Sequence, residues 1–290
     1  MSLEHSELIL NADGSIYHLN LLPDDLAETI ILVGDQNRVP KVSQYFDSIE
    51  VKKGKREFIT HTGTLNGKRI SVISSGIGTD NIDIVLNEID ALANIDFKER
   101  KIKEEHKQLR IVRIGTSGSI QADIPVDSFV LSEYAIGFDG VLHFYANENI
   151  QHPELTKAFV EQTNWSSNKP LPYIVKYDEN LGKTLTSNRI RLGFTGTNSG
   201  FYGPQGRVLR LALDDKNFNA KLASFEHNKL KVTNLEMESS AIYALSKLLG
   251  HRAASLNCII ANRSTGEFSK NPTLAIDSLI KYTLDKLSKD

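Results

Sequence analysis

The sequence predicts a mixed α/β layer fold in one domain spanning residues 1–290. Three observations lead there. Short β-branched apolar runs alternate with stretches of helical periodicity. The 290 residues, 40% hydrophobic and 24% charged, have ordinary globular proportions and no repeat or linker that would divide them. Several apolar runs end in glycine or polar turns, the place where α/β sheets hold ligands.

Residues 1–15 read as a flexible N-terminal segment. Glu4, His5 and Glu7 leave too few apolar residues there for a secretory signal. Thr29 to Val33 is a buried strand that ends in Gly34-Asp35, and a helix follows from Val39 to Phe46. Phe58 to Thr64 and Lys68 to Ser74 form a hairpin, because Asn66-Gly67 between them tolerates the positive φ of a type I′ turn. Asn81 to Ala93 places Ile82, Val85, Leu86, Ile89 and Leu92 on one helical face. A charged insertion, 97–108, reads as a solvated helix extension or surface loop. Strands follow at Leu109 to Ile114, Ser128 to Ser132, Ile190 to Thr197 and Ala253 to Ala261. Helices fall at Gln151 to Thr163 and Ser240 to Leu249, and an amphipathic one closes the chain from Pro272 to Leu287.

Composition excludes several classes. A net charge of −2 with no basic stripe argues against nucleic acid as a partner. No apolar run reaches the ~20 residues that span a bilayer. Cys258 is the single cysteine, so it forms no internal disulfide and no zinc site; its apolar run marks it as a buried structural thiol. A soluble cytoplasmic protein is expected.

Candidate chemistry gathers at the strand ends. Gly34-Asp35-Gln36-Asn37-Arg38 lies between a strand and a helix, where backbone N–H groups and Arg38 can meet an anion. Ser75-Gly76-Ile77-Gly78-Thr79 repeats that arrangement. Arg113 sits inside an apolar strand, with Gly115, Thr116, Ser117 and Gly118 just beyond it, and a buried arginine needs a counter-charge. None of these turns matches a P-loop or a dinucleotide fingerprint, so a free phosphate fits them better. Glu236-Met237-Glu238 precedes a helix. In an extended segment both carboxylates point one way and Met237 the other, giving charged acceptors and an apolar neighbour suited to a sugar.

Together these segments resemble the nucleoside phosphorylase-I family, and within it the uridine-cleaving branch. The resemblance runs from about Ile16 to Arg263 through Tyr17-His18-Leu19, the Gly34 to Val39 turn, Arg56-Glu57-Phe58, Ser75 to Gly78, Arg113 to Gly118, Phe201 to Arg207, Glu236 to Glu238 and Asn262-Arg263. It implies a three-layer α/β/α fold with a mixed, partly barrel-like sheet, and phosphorolysis of uridine to uracil and ribose 1-phosphate. By the same resemblance, Gly34, Arg38, Arg113 and Thr116 hold phosphate, joined by Arg56 from a neighbouring subunit. His18 reaches the neighbour's ribose, while Glu236, Met237 and Glu238 form the ribose site. Ser117, Gly118, Phe201, Gln205 and Arg207 surround the base. Arg113, Arg207 and Glu238 would carry the catalysis.

No cofactor is implied beyond phosphate as co-substrate, although some members bind a monovalent cation such as K+ between subunits, where Glu57 and Ser74 match two ligands. A homodimer or a hexamer built from three dimers is expected. The purine enzymes of the family carry an aspartate after the last core strand to protonate the base. Ile259-Ile260-Ala261-Asn262-Arg263 has no acid there, which favours a pyrimidine. Purine phosphorolysis, hydrolysis of the nucleoside by water, and nucleoside binding without turnover are the alternatives. Thr79-Asp80-Asn81 departs from the family's proline and serine, placing an added carboxylate near the expected phosphate or at the start of a helix.

Overall fold

The computed structural model describes residues 2–147 and 149–289. Strand β1 (Thr29–Val33) leads through the Gly34 turn into a short helix α1 (Arg38–Ser43). Three antiparallel strands follow, β2 (Ser48–Lys55), β3 (Phe58–Leu65) and β4 (Lys68–Ser74), and then helix α2 (Thr79–Asn94). The β3–β4 turn has φ of 50° at Asn66 and 76° at Gly67, as the Asn-Gly pair predicts. A small hairpin, β5 (Ile95–Asp96) with β6 (Lys101–Ile102), precedes the long strands β7 (Arg110–Ser119) and β8 (Phe129–Gly137). Helix α3 (Pro153–Thr163), β9 (Tyr173–Lys176), α4 (Glu179–Leu185) and β10 (Ile190–Thr197) come next, then α5 (Phe218–Ser224), β11 (Glu226–His227) and β12 (Leu230–Glu236). The chain closes with α6 (Ser239–Leu248), β13 (Arg252–Asn262), β14 (Glu267–Phe268) and α7 (Pro272–Lys289).

The main sheet runs β11-β12-β10-β8-β13-β7-β1-β4-β3-β2 and mixes parallel with antiparallel pairs. Strand β12 pairs not only with β10 but also with β7, so β12, β10, β8, β13 and β7 close on themselves. This closure makes the sheet partly a barrel, as the family resemblance implies.

Alternation in β1 produces the layers. Ile30 and Leu32 join a cluster with Ile82, Val85, Leu86 and Ile89 of α2 and Ile242 and Leu245 of α6. Ile31 and Val33 face the opposite way, against Val39 and Val42 of α1, Leu181 and Leu185 of α4, and Leu279 and Ile280 of α7. A strand apolar from Ile30 to Val33 needs helices on both faces, and it has them. Cys258 is buried in the second cluster, and burial pushes its thiol up to about 12, in keeping with a structural role. No helix among the described residues is long and apolar enough to cross a membrane.

Several boundaries differ from the sequence expectation. Helix α1 stops at Ser43 instead of Phe46. Strand β2 escapes the pattern because Ser48-Ile49-Glu50-Val51-Lys52-Lys53 lies mostly exposed at a sheet edge and alternates little. Strand β7 runs on to Ser119: the glycines and hydroxyls expected beyond its end pair with β13 and β12 instead of turning. The 97–108 insertion is a surface loop entered through the β5–β6 hairpin, not a helix extension. Arg100 in it donates to the carbonyls of Leu3, Glu4 and Leu8, and Leu8 is buried.

Candidate active site

The C-terminal ends of β4, β1 and β7 lie side by side because these strands are parallel neighbours. Their turns therefore converge. A Cβ on Gly34 would lie 3.4 Å from the Gly76 carbonyl, so the two glycine turns abut. Beyond them opens a cavity of about 670 Å³. Of the predicted residues, Gly34, Arg38, Glu57, Arg113, Thr116, Ser117, Gly118, Phe201, Gln205, Arg207, Glu236, Met237 and Glu238 all line it. His18, Arg56 and Ser74 do not.

Arg113 is the charged centre of this cavity, only 5% exposed. Its Nη2 donates to Glu238 Oε2 and lies 3.4 Å from Glu236 Oε2, while Nη1 donates to Asn257 Oδ1 at 3.0 Å. Burial alone would lower the Arg113 pKa, but Glu238 and Glu236 outweigh it and hold the guanidinium charged. Two carboxylates share one cation, so burial first and the Glu236 charge after it raise the Glu238 carboxyl above its usual range, with Arg113 opposing. Glu238 Oε1 also accepts the Gly78 N–H at 2.8 Å, which joins the second glycine turn to the cluster. Arg38 lies close enough to feel the Arg113 charge; burial and that charge lower its pKa, and its Nη1 donates to the Ile114 carbonyl at 3.1 Å.

Glu236 has a distinct task. Its carboxylate accepts from the backbone N–H groups of Glu238 and Ser239 and from the hydroxyls of Ser239 and Thr197. It closes the start of α6, where a negative charge meets the helix dipole. Both acids face Arg113. Met237, expected to point away, lines the same cavity, because β12 ends at Glu236 and Glu238 (φ −140°, ψ −29°) bends the chain.

At the other end, Gln205 is 3% exposed and its Oε1 accepts from Arg207 Nη1 at 2.6 Å. Arg207 also donates to the Phe201 carbonyl, and its guanidinium lies 3.8 Å from the Phe201 ring centroid. Phe201, read from sequence as a stacking surface for a base, is thus covered on one face by Arg207 and remains 50% exposed. Burial, with Arg263 adding to it, lowers the Arg207 pKa to about 10, so it stays charged at neutral pH. Arg263 braces the turn by donating to the carbonyls of Gln205 and Gly206. Ser117 accepts from Asn234 at 2.9 Å, and Gly118 pairs with Leu235.

The remaining candidates sit elsewhere. His18 Nδ1 lies 2.6 Å from Glu88 Oε1, and the ring packs edge-on to Phe58. Arg56 occupies the exposed two-residue turn between β2 and β3 with φ 55°. One patch holds them both: Lys55 donates to the Tyr17 carbonyl at 2.6 Å and covers the Tyr17 ring. Ser74 is buried in strand pairing. Its hydroxyl donates to the Glu57 carbonyl at 2.5 Å and accepts the Ile59 N–H at 2.7 Å. Asp80 is exposed in the first turn of α2 and does not line the cavity, whereas Asn81 does.

Sequence reading missed Asn257, Thr197 and Gly115. Asn257 and Thr197 are polar residues within strands, with no motif to single them out. Gly115 did carry a signal. It lies two residues after Arg113 on the same strand face, and a Cβ there would fall 1.6 Å from Arg113 Nη1. Only glycine leaves room for the arginine to lie along its own strand.

Among the described residues no group of three or more His, Cys, Asp or Glu could hold a metal ion. The sequence profile of the phosphorylase superfamily matches residues 28–284. A uridine phosphorylase from Thermococcus kodakarensis is 30% identical over 269 residues, covering 89% of this chain and 81% of its own length. One from Escherichia coli is 28% identical over 273 residues, covering 90% and 91%. Among solved structures, a Trypanosoma brucei nucleoside phosphorylase with uridine phosphorylase activity superposes with a TM-score of 0.88. It is 31% identical and covers 98% of this chain and 100% of its own.

Proposed function

We propose, from the premise that the chain belongs to the phosphorylase superfamily, that it is a pentosyltransferase cleaving uridine with inorganic phosphate to uracil and ribose 1-phosphate. One observation carries the reading: a single cavity has arginines at one end, a Gln–Arg pair at the other, and the Glu238 carboxylate among the groups lining it. Those are the three kinds of group that the reaction needs together, for phosphate, base and ribose. The relatives named for uridine cleavage support the same substrate.

In this reading phosphate lies against the Gly34 turn, Arg38 and Thr116, with Arg113 bridging it to Glu238. Glu238 accepts the 2′- and 3′-hydroxyls beside Met237. As the glycosidic bond breaks, positive charge grows on the sugar and negative charge on the uracil. Phosphate stabilises the first and Arg207 the second, so catalysis rests on positioning and electrostatics. Phosphate then captures C1′, with no covalent enzyme intermediate and no further cofactor. Uracil should appear from uridine only when phosphate or arsenate is supplied. Comparable release in phosphate-free buffer would leave hydrolysis as the better reading.

Gly115 supports Arg113 in the same scheme. Gly115→Ala drives a methyl into the guanidinium, and misplacing such a group by about 1 Å can cost ~10²-fold in rate. Turnover measured beside a melting curve tests this. A folded variant at full rate would mean that the Arg113 position does not matter.

The active form is a homodimer, alone or within a hexamer. Arg56 and His18 lie on one patch outside their own chain's cavity, where a two-fold partner can receive both. Arg38 and Arg113 are balanced by Glu236 and Glu238, so the four groups sum to no net charge and a further arginine from the partner completes the anion site. Mixing inactive Arg56→Ala and Glu238→Ala subunits should restore some whole sites. Absence of recovery after confirmed subunit exchange would contradict sharing. A monovalent cation at Glu57 and Ser74 would have to share the Ser74 oxygen, which donates to the Glu57 carbonyl, accepts the Ile59 N–H and keeps one lone pair.

A further inference from the structure

The closed part of the sheet is crossed by polar side chains that follow its strands in order. Asn257 of β13, Ser132 of β8, Thr195 of β10 and Asn234 of β12 are all fully buried. They link Arg113 to Ser117, both on β7, so the path runs once round the barrel and returns to the strand it left. We infer that this path is a one-way hydrogen-bond chain that fixes the Ser117 hydroxyl as a donor to a carbonyl oxygen of the bound base. Ser132, Thr195 and Asn234 are then positioning residues for a cavity that they do not line. The inference rests on the proposed reading of that cavity and adds residues to it.

Arg113 sets the direction. A guanidinium only donates, so Asn257 turns its Oδ1 to Arg113 Nη1 at 3.0 Å and its Nδ2 to Ser132 Oγ at 3.2 Å. The Ser132 hydroxyl then has Thr195 Oγ1, at 2.6 Å, as the acceptor for its own proton. Thr195 in turn donates to Asn234 Oδ1 at 3.0 Å, and Asn234 Nδ2 donates to Ser117 Oγ at 2.9 Å. Reversing the later steps would strand the Ser132 proton in a dry interior, which is costly.

Ser117 ends the chain. Its oxygen accepts from Asn234, its proton has no acceptor among the described residues, and the residue lines the cavity. Gly118 marks this as the base end: a Cβ there would lie 3.6 Å from Arg263 Cδ, and Arg263 braces Gln205. Uracil offers two carbonyl oxygens as acceptors. Apolar side chains could fill a small barrel, whereas a satisfied polar network holds each member in one orientation.

Uracil affinity, measured by calorimetry with phosphate present, tests the chain. Thr195→Val keeps the shape and removes the hydroxyl, and it should weaken uracil binding roughly tenfold, as should Ser117→Ala. The double variant should bind no more weakly than Ser117→Ala alone, because both changes act through one hydroxyl. Thr195→Ser should recover most of the loss. Affinity for phosphate alone should stay at the wild-type value, since Arg113 and Asn257 lie upstream of the break. Ser132→Ala cuts the chain one step earlier and should reproduce the loss if Thr195→Val does not fold. No uracil binding by the wild type, additive losses in the double variant, no recovery in Thr195→Ser, or phosphate affinity that falls with uracil affinity would each overturn the inference. A wild type that binds uracil yet cleaves no uridine with phosphate would refute the proposed function and leave the chain standing.

Discussion

Arg113→Ala should lower kcat/KM for uridine phosphorolysis by a factor of roughly 30 to 1,000, about 2–4 kcal/mol of transition-state stabilisation. The side chain touches two of the three proposed subsites. It faces the phosphate turn and also fixes Glu238, so its loss weakens the anion site and frees the ribose acceptor together. Stability should fall too. Glu236 and Glu238 would remain buried without their cation, and breaking such a pair costs about 3–5 kcal/mol, eased by proton uptake at Glu238.

Arg113→Lys separates these effects. An ammonium restores charge near the carboxylates but not the fork that reaches Asn257, Glu238 and phosphate at once. Its melting temperature should recover more than its activity. Wild-type kcat/KM in a folded Arg113→Ala enzyme would place phosphate elsewhere.

How much of this was legible in the sequence follows from where each signal resides. Strand β1 was plain because four consecutive apolar residues, Ile30 to Val33, must be buried on both faces, and the Asn66-Gly67 hairpin because few residue pairs accept two positive φ values. Edge strand β2 was hidden for the converse reason, since its side chains are mostly solvated and show no period. Barrel closure was not readable from periodicity at all; it depends on β12 pairing across to β7, a contact between residues more than a hundred positions apart.

The site divides in the same way. The burial of Arg113 in an apolar strand required a counter-charge, and Glu238 and Glu236 supply it. Which nitrogen meets which oxygen could not be read, because that depends on Asn257, Gly78 and the missing Cβ at Gly115. Alternation alone turned Met237 away from the two acids; it holds only while the strand continues, β12 stops one residue before Met237, and that residue lines the cavity beside them. Phe201 was assigned to the base through the family resemblance. Its neighbour Arg207, six residues on, takes one face of the ring.

The choice of base turns on Gln205. Its Oε1 already accepts from Arg207, but an amide oxygen has two lone pairs and can take the uracil N3–H as well, while its NH₂ donates to a neighbouring carbonyl. Replacing it with alanine leaves two polar edges of uracil unsatisfied in a buried setting, at about 1–3 kcal/mol each. Gln205→Ala should therefore reduce uridine turnover by roughly 10²-fold or more. Arg207 would keep its contact with the Phe201 carbonyl, so the loop itself should survive. Inosine should remain a poor substrate, since the residues after Ile260 are Ala261, Asn262 and Arg263, and Arg263 is committed to bracing the loop. The comparison to make is kcat/KM for uridine and inosine in both wild type and Gln205→Ala. If the wild type cleaves inosine as well as uridine, the pyrimidine assignment fails, while the phosphate end of the cavity is untouched by that result.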